Sequence, residues 1–260
     1  MKNISLIGIG PGGPDLVTTE AIAAMRAVDV FFLLDKDGPG KESLIAAREA
    51  IMASYLEPGS YRVARAPSPA RARTAEGYLE VVQDWHARKR ALFAELIARE
   101  LKNGQTGALL IWGDPSLYDQ SVSLFAELVA EQPPGSPDAL RLEVIPGLTA
   151  VQVLTARHAI ALNRIGEPIV ITTGRQLEQA DPATVDNTVV MLDGRGAFRH
   201  CLGQGLFIHW GANLGTADEV LIAGPLDTVA EDIITTLERL RGERGWLMDI
   251  YLLRRPERQP

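Results

Sequence analysis

The chain has 260 residues, 46% hydrophobic and 23% charged, which is long for one ordinary core and comfortable for two moderate ones. Its formal net charge of −7, without a basic tail or stripe, argues against sequence-independent nucleic-acid binding. A single cysteine, Cys201, excludes an internal disulfide, and with four scattered histidines it leaves no ligand set for a Cys/His metal site. No apolar run approaches the roughly 18–20 residues of a membrane span, and no basic n-region with a cleavage site is present. The expectation is a cytoplasmic protein with no membrane or nucleic-acid partner.

In chain order, Ile4 to Ile9 reads as an apolar strand running into Gly10-Pro11-Gly12-Gly13-Pro14, with Asp15 or Thr18 placed to cap the next helix. On spacing alone Gly8, Gly10 and Gly13 satisfy the G-x-G-x-x-G dinucleotide fingerprint, and Asp35 could pass for its ribose-binding acid. A pyrophosphate site needs backbone N–H donors at a helix N-terminus. Pro11 and Pro14 each remove one, so the turn is a poor anion cradle. Its glycines instead suit a wall that a large flat substrate can approach closely, formed by Gly10, Pro11 and Gly12.

A helical pattern from Thr18 to Val28 is followed by the continuous apolar run Val30–Leu34, as expected of a parallel strand buried on both faces. The run ends in the charged loop Asp35-Lys36-Asp37-Gly38-Pro39-Gly40, at the strand edge where open α/β sheets place ligands. A helix from about Glu42 to Met52 and a short strand from Tyr61 to Ala66 come next. The irregular segment Pro67–Arg73 follows, and Arg71 and Arg73 in it lie close in sequence to Arg62 and Arg65 of the strand, a cluster that is either solvated or a grip for carboxylates. A long helix is expected from about Thr74 to Leu101, with Trp85 on its core stripe.

Ala108–Trp112 is a fourth strand, closed by Gly113-Asp114-Pro115, where Asp114 suits an N-cap and Pro115 the first position of a helix to about Glu131. Leu142–Ile145 is a fifth strand, followed by Pro146-Gly147-Leu148-Thr149-Ala150 and a helix to about Arg157. Strand-like runs then dominate: Ile169–Thr173, Thr188–Leu192, Leu206–Trp210, Val220–Ala223 and Trp246–Leu253, with a helix from Leu226 to Leu240. The fold class expected is α/β in two αβα domains: residues 1–150 around a five-stranded parallel-type sheet, and 151–260 around a mixed sheet. The boundary falls between about 147 and 165.

Three turns of the first half therefore share one sheet edge: Gly10-Pro11-Gly12, Gly113-Asp114-Pro115 and Pro146-Gly147-Leu148-Thr149-Ala150. Each alone is ordinary strand-to-helix punctuation; together they make walls of backbone suited to a ligand held by main-chain groups. In order and spacing these three motifs, with Asp15-Leu16 and Thr18, resemble the tetrapyrrole methylases, the S-adenosylmethionine-dependent C-methyltransferases of cobalamin and sirohaem synthesis. The resemblance covers essentially the whole chain.

What the resemblance implies is an active-site cleft between two α/β domains of a homodimer, with S-adenosylmethionine as cofactor and a tetrapyrrole as substrate. Carried over by position, the cofactor contacts are Trp112, Gly113, Asp114, Ser116, Leu117, Thr149 and Ala150. From the second domain they are Met191, Leu192, Trp210, Gly211, Ala212 and the strand at 220–224. The chain departs from the family at Leu192-Asp193-Gly194, where many members have Met-Gly. The Asp35-Lys36 loop, Ala70-Arg71-Ala72-Arg73 and the Trp85-His86-x-x-Lys89-Arg90 helix resemble the members that methylate ring carbon 1 of precorrin-5 with loss of acetate. That reading casts Asp114, Asp35 and Lys36 as candidates to position a water, and Arg71 and Arg73 as substrate contacts. Alternatives are another precorrin methyltransferase, a ribosomal-RNA methylase, a dinucleotide oxidoreductase and a non-catalytic tetrapyrrole carrier.

Overall fold

The computed structural model describes residues 1–35, 42–69, 78–133, 136, 139–244 and 247–256. Lys36, Arg71 and Arg73, and the expected helix start at 74–77, lie outside the described residues. Among the described residues no helix is long and apolar enough to cross a membrane. The chain divides into two compact units: Met1–Gly10 with Pro14–Leu148, and Thr149–Pro260 with Pro11–Gly13.

The first unit alternates strand and helix: β1 (Lys2–Gly8), α1 (Thr19–Arg26), β2 (Val30–Asp35), α2 (Glu42–Tyr55), β3 (Arg62–Pro67), α3 (Tyr78–Glu100), β4 (Thr106–Ile111), α4 (Ser121–Ala130) and β5 (Leu140–Ile145). The order across the sheet is β3-β2-β4-β1-β5, every pair parallel. Strand alternation sends Ile4, Leu6, Val30 and Phe32 to the face covered by Phe93, Leu96 and Ile97 of α3 and Phe125 of α4. Ile7, Phe31 and Leu33 go to the other face, against Met25 of α1 and Ile51 and Met52 of α2. Thr18 caps α1, its hydroxyl accepting the Ala21 N–H at 3.1 Å.

The second unit contains α5 (Ala150–Arg157), β6 (Val170–Thr173), α6 (Gly174–Leu177), β7 (Thr188–Met191), β8 (Phe207–Ala212), β9 (Val220–Pro225), α7 (Leu226–Arg244) and β10 (Asp249–Arg254). Its sheet runs β6-β7-β10-β8-β9, parallel only at β6–β7. The core packs Trp210, Tyr251 and Phe198 against Leu226, Ile233 and Leu237 of α7. Cys201 is buried there, and desolvation pushes its thiol up to about 11, which keeps it from acting as a nucleophile.

Two local expectations fail for physical reasons. The helix after β4 begins at Ser121, and Asp114 does not cap it. Asp114 instead closes a tight turn in which Leu117 N–H reaches its carbonyl, and Tyr118, at φ 53°, breaks helical continuity. Trp85 is half-buried rather than core, its indole N–H donating to the Pro69 carbonyl at 2.9 Å. An indole needs such a partner wherever it leaves water.

Candidate functional site

The candidate site of the first unit is built from the ends of three neighbouring strands, β4, β1 and the edge strand β5. Just past β1 and β4, Gly10 and Gly113 exchange both backbone hydrogen bonds, at 3.2 and 2.9 Å. A Cβ on Gly8 would lie 2.5 Å from the Gly147 nitrogen and 2.9 Å from the Gly113 carbonyl oxygen. A Cβ on Gly147 would lie 2.3 Å from that oxygen and 2.7 Å from the Gly8 carbonyl carbon. The exits of β1, β4 and β5 thus touch backbone to backbone, which only glycine permits.

Asp114 fastens this knot. One carboxylate oxygen accepts the Gly147 N–H at 2.9 Å, and the other accepts the Ser116 N–H at 2.8 Å and the Ser116 hydroxyl. Burial opposes ionisation, but the Ser116 hydroxyl and the Gly147 and Ser116 N–H groups outweigh it, so the carboxyl sits below its usual range. A carboxylate committed to three donors is a loop organiser and a weak base. Asp114→Asn keeps the shape but sets an amide NH2 against one of those donors. At neutral pH we expect a loss of about 1–2 kcal/mol in chemical denaturation. The wild-type contribution is present above the ordinary carboxylate range and is lost as pH falls through the lowered folded value, so the gap should close in acid. A gap of the same size in acid and at neutral pH would refute the assignment.

Around this turn, Trp112 is half-buried with the Arg48 guanidinium 5.9 Å from its ring centre. Ser116 is exposed and Leu117 half-buried, so the segment from Trp112 to Leu117 offers mainly backbone and one hydroxyl. Asp35, at the end of β2, pairs with Arg65 at 2.8 Å, and Arg65 also binds Glu49. Arg62 pairs with Glu100 at 3.2 Å. The two described arginines of the expected carboxylate grip are thus both engaged in ion pairs within the unit.

Gly10, Pro11 and Gly12 are buried, contrary to the substrate wall expected of them. A Cβ on Gly12 would lie 2.2 Å from the Leu214 carbonyl oxygen, and one on Gly13 2.2 Å from that of Gly215. These glycines serve backbone packing, with no helix N-terminus behind them: the 3-10 turn Pro14–Leu16 intervenes before α1. The dinucleotide reading loses its cradle by the same fact.

In the second unit, Thr149 caps α5 in a reciprocal capping box with Gln152, and Ala150 opens the helix. Met191 and Gly211 flank Ile250 of β10 from either side. Leu192 follows β7 at φ 55° and is 66% exposed. A bulky residue held left-handed and in solvent is strained, and such strain gathers at ligand-binding positions. Trp210, Gly211 and Ala212 are buried, so they support rather than face a ligand. The Trp210 carbonyl accepts from the His158 ring at 3.0 Å, and the Trp210 indole N–H lies 3.5 Å from Asp249.

Beneath Leu192 lies a group of side chains that sequence reasoning missed. Asp193 accepts the Tyr251 hydroxyl at 2.8 Å and the Ala197 N–H at 2.7 Å. Asp249, buried, accepts the Gly194 N–H at 3.1 Å. Desolvation, with nearby Asp193, pushes Asp249 up to about 6, against hydrogen bonds from Gly194 and Trp210 and the charge of Arg241. The available signal was alternation in Asp249-Ile250-Tyr251-Leu252-Leu253, which puts Asp249 on the face of Tyr251 and Leu253. Among the described residues no group of three His, Cys, Asp or Glu could hold a metal.

The pattern that defines the Tetrapyrrole (Corrin/Porphyrin) Methylases matches residues 3–230. Precorrin-6A synthase (deacetylating) of a Sinorhizobium species is 40% identical over 255 residues, 98% of this chain and 96% of its own. A crystal structure of a cobalamin synthesis related protein (CobF) from Corynebacterium diphtheriae superposes with a TM-score of 0.80 at 36% identity. That match covers 99% of this chain and 100% of the other. A uroporphyrin-III C-methyl transferase from Thermus thermophilus, complexed with S-adenyl homocysteine, matches at TM-score 0.57 and 18% identity over 97% of each chain. At that identity the likeness is one of fold alone.

Proposed function

Because this chain belongs to the tetrapyrrole (corrin/porphyrin) methylases, we propose that it is an S-adenosylmethionine-dependent C-methyltransferase of aerobic cobalamin synthesis. It methylates ring carbon 1 of precorrin-5 and releases the extruded acetyl group as acetate, giving precorrin-6A. The observation that carries this reading is the 40% identity to a precorrin-6A synthase running through 98% of one chain and 96% of the other. A relationship confined to the shared fold would not extend so evenly.

S-adenosylmethionine supplies a methyl group on a sulfonium, an electrophile that needs alignment and exclusion of water more than a base. The residues present fit such a ligand. Gly113, at φ 70° and locked against Gly10, Gly8 and Gly147, holds a rigid backbone edge. In the first unit Trp112, Asp114, Ser116 and Leu117 on that edge would hold the cofactor, chiefly through main chain. In the second unit Thr149, Ala150, Met191 and Leu192 are the proposed contacts, and the buried Trp210, Gly211 and Ala212 would support that unit's own contacts from its core. For deacetylation, water must add to the acetyl carbonyl. Asp35, half exposed beside Arg65, is better placed to orient that water than Asp114, whose oxygens are committed. Lys36 follows Asp35 directly in the chain. We take the working form to be a cytoplasmic homodimer.

Incubation with precorrin-5 and S-adenosylmethionine should yield the methylated macrocycle, acetate and S-adenosylhomocysteine in equal amounts, from a species of about twice the chain mass by light scattering. Methyl gain without acetate would move the assignment to another precorrin C-methyltransferase. An unchanged macrocycle mass would leave a carrier.

A further inference from the structure

We propose that Tyr251 and Asp193 are positioning residues for the cofactor: together they hold Leu192 in the left-handed conformation from which its backbone meets S-adenosylmethionine. That Leu192 meets the cofactor rests on the reading under Proposed function; the grip rests on geometry within the second unit. Three consecutive residues of β10 hold the chain on either side of Leu192. Ile250 pairs with Met191 across the β10–β7 ladder. Asp249 accepts the Gly194 N–H at 3.1 Å. Tyr251 donates its hydroxyl to Asp193 Oδ2 at 2.8 Å. Leu192 bridges these anchors, so its φ of 55° is imposed from both sides. For a bulky side chain that conformation is strained.

A strained residue persists only where its surroundings over-determine it, and here they do. Asp193 Oδ2 also accepts the Ala197 N–H at 2.7 Å, and Oδ1 accepts the Arg195 N–H at 3.1 Å. Gly194 and Gly196, at φ 59° and 78°, let the turn close over this carboxylate. On another side α6 begins at Gly174, where a Cβ would lie 2.6 Å from Asp193 Oδ1 and 2.8 Å from its Cα. Tyr251 is fully buried, with Phe198 edge-on at 5.5 Å between ring centres, so its hydroxyl has little freedom to turn away. Burial, and then the charge of Asp193, raise its pKa well above the usual range, so it stays a donor. Leu192 itself is 66% exposed, so burial of its side chain does not explain why the strain is kept. Presenting a fixed backbone edge to a ligand does.

The probe is S-adenosylhomocysteine, titrated by calorimetry against wild type, Tyr251→Phe, Leu192→Asn and the double variant. Tyr251→Phe keeps the ring and loses only the hydroxyl, and should weaken binding about tenfold. In turnover of precorrin-5 it should raise KM for S-adenosylmethionine, leave KM for the macrocycle alone and keep kcat within about threefold of wild type. Asparagine takes the left-handed region readily, as Asn213 does at φ 51° where β8 ends. Leu192→Asn should therefore raise Tm by about 2–4 °C. In the Leu192→Asn background, loss of the Tyr251 hydroxyl should cost affinity about threefold or less. Equal affinity in Tyr251→Phe and wild type, or the same tenfold loss in both backgrounds, overturns the positioning role. If Tyr251→Phe melts early, Leu192→Asn alone decides: a raised Tm supports the imposed strain, and an unchanged or lower one overturns it. Tyr251-dependent binding without methyl transfer would sink the proposed reaction and leave the positioning standing. No saturable binding to wild type would sink both.

Discussion

Gly147→Ala should cost about 3 kcal/mol or more of stability and most of the methyl-transfer activity. One methyl group causes this because its nearest neighbours are backbone, the Gly113 carbonyl oxygen at 2.3 Å and the Gly8 carbonyl carbon at 2.7 Å. A flexible side chain could swing aside; a carbonyl held in strand register cannot. The strand exits must part, and the Gly113 edge offered to the cofactor moves with them. Gly8→Ala should behave alike, its Cβ falling 2.5 Å from the Gly147 nitrogen. Gly242→Ala is the contrast: it lies within α7 with nothing inside 4 Å, so it should gain about 0.5–1 kcal/mol. Urea midpoints of the three variants check the set. A Gly147→Ala protein within about 0.5 kcal/mol of wild type would remove the backbone knot from the account.

The second large effect is expected from Asp249→Asn, and it depends on pH. The folded carboxyl titrates at about 6, above its ordinary 3.8. A raised folded value means stability that is fully present below the unfolded pKa and lost as pH rises through the folded one. Roughly two pKa units correspond to about 3 kcal/mol lost by wild type between about pH 4 and 7. Asparagine does not ionise, so it escapes that loss while still able to accept the Gly194 N–H. The stability difference between wild type and Asp249→Asn should therefore shift toward the variant as pH rises, read from denaturation at several pH values. A constant difference across the range would show that Asp249 does not titrate in the fold. The same acid holds Gly194, next to the strained Leu192 turn, so cofactor affinity should follow the substitution too.

The strands, their two-sided burial and the mixed second sheet were legible because alternation and continuous apolar runs are local signals. Gly8 and Gly147 were visible as glycines, yet their reason was not: each forbids a Cβ because of backbone at the exit of another strand, distant in sequence. Asp114 shows the limit most clearly. Its bond to Ser116 N–H, two residues on, imitates a helix cap, and only the bond to Gly147, 33 residues away, reveals its task. Trp85 fits an apolar stripe but carries an N–H that draws it toward Pro69. Asp249 hides within a hydrophobic run because burial of an acid depends on donors supplied by other segments.

The three residues Pro11–Gly13 belong to the second unit although the chain around them builds the first. Gly12 and Gly13 lie so close to the Leu214 and Gly215 carbonyls that their fit is specific to that backbone path. Anyone grafting halves between relatives to exchange substrate preference therefore cannot splice once at residue 148. A chimera would have to carry residues 11–13 along with 149–260, as a matched pair of inserts.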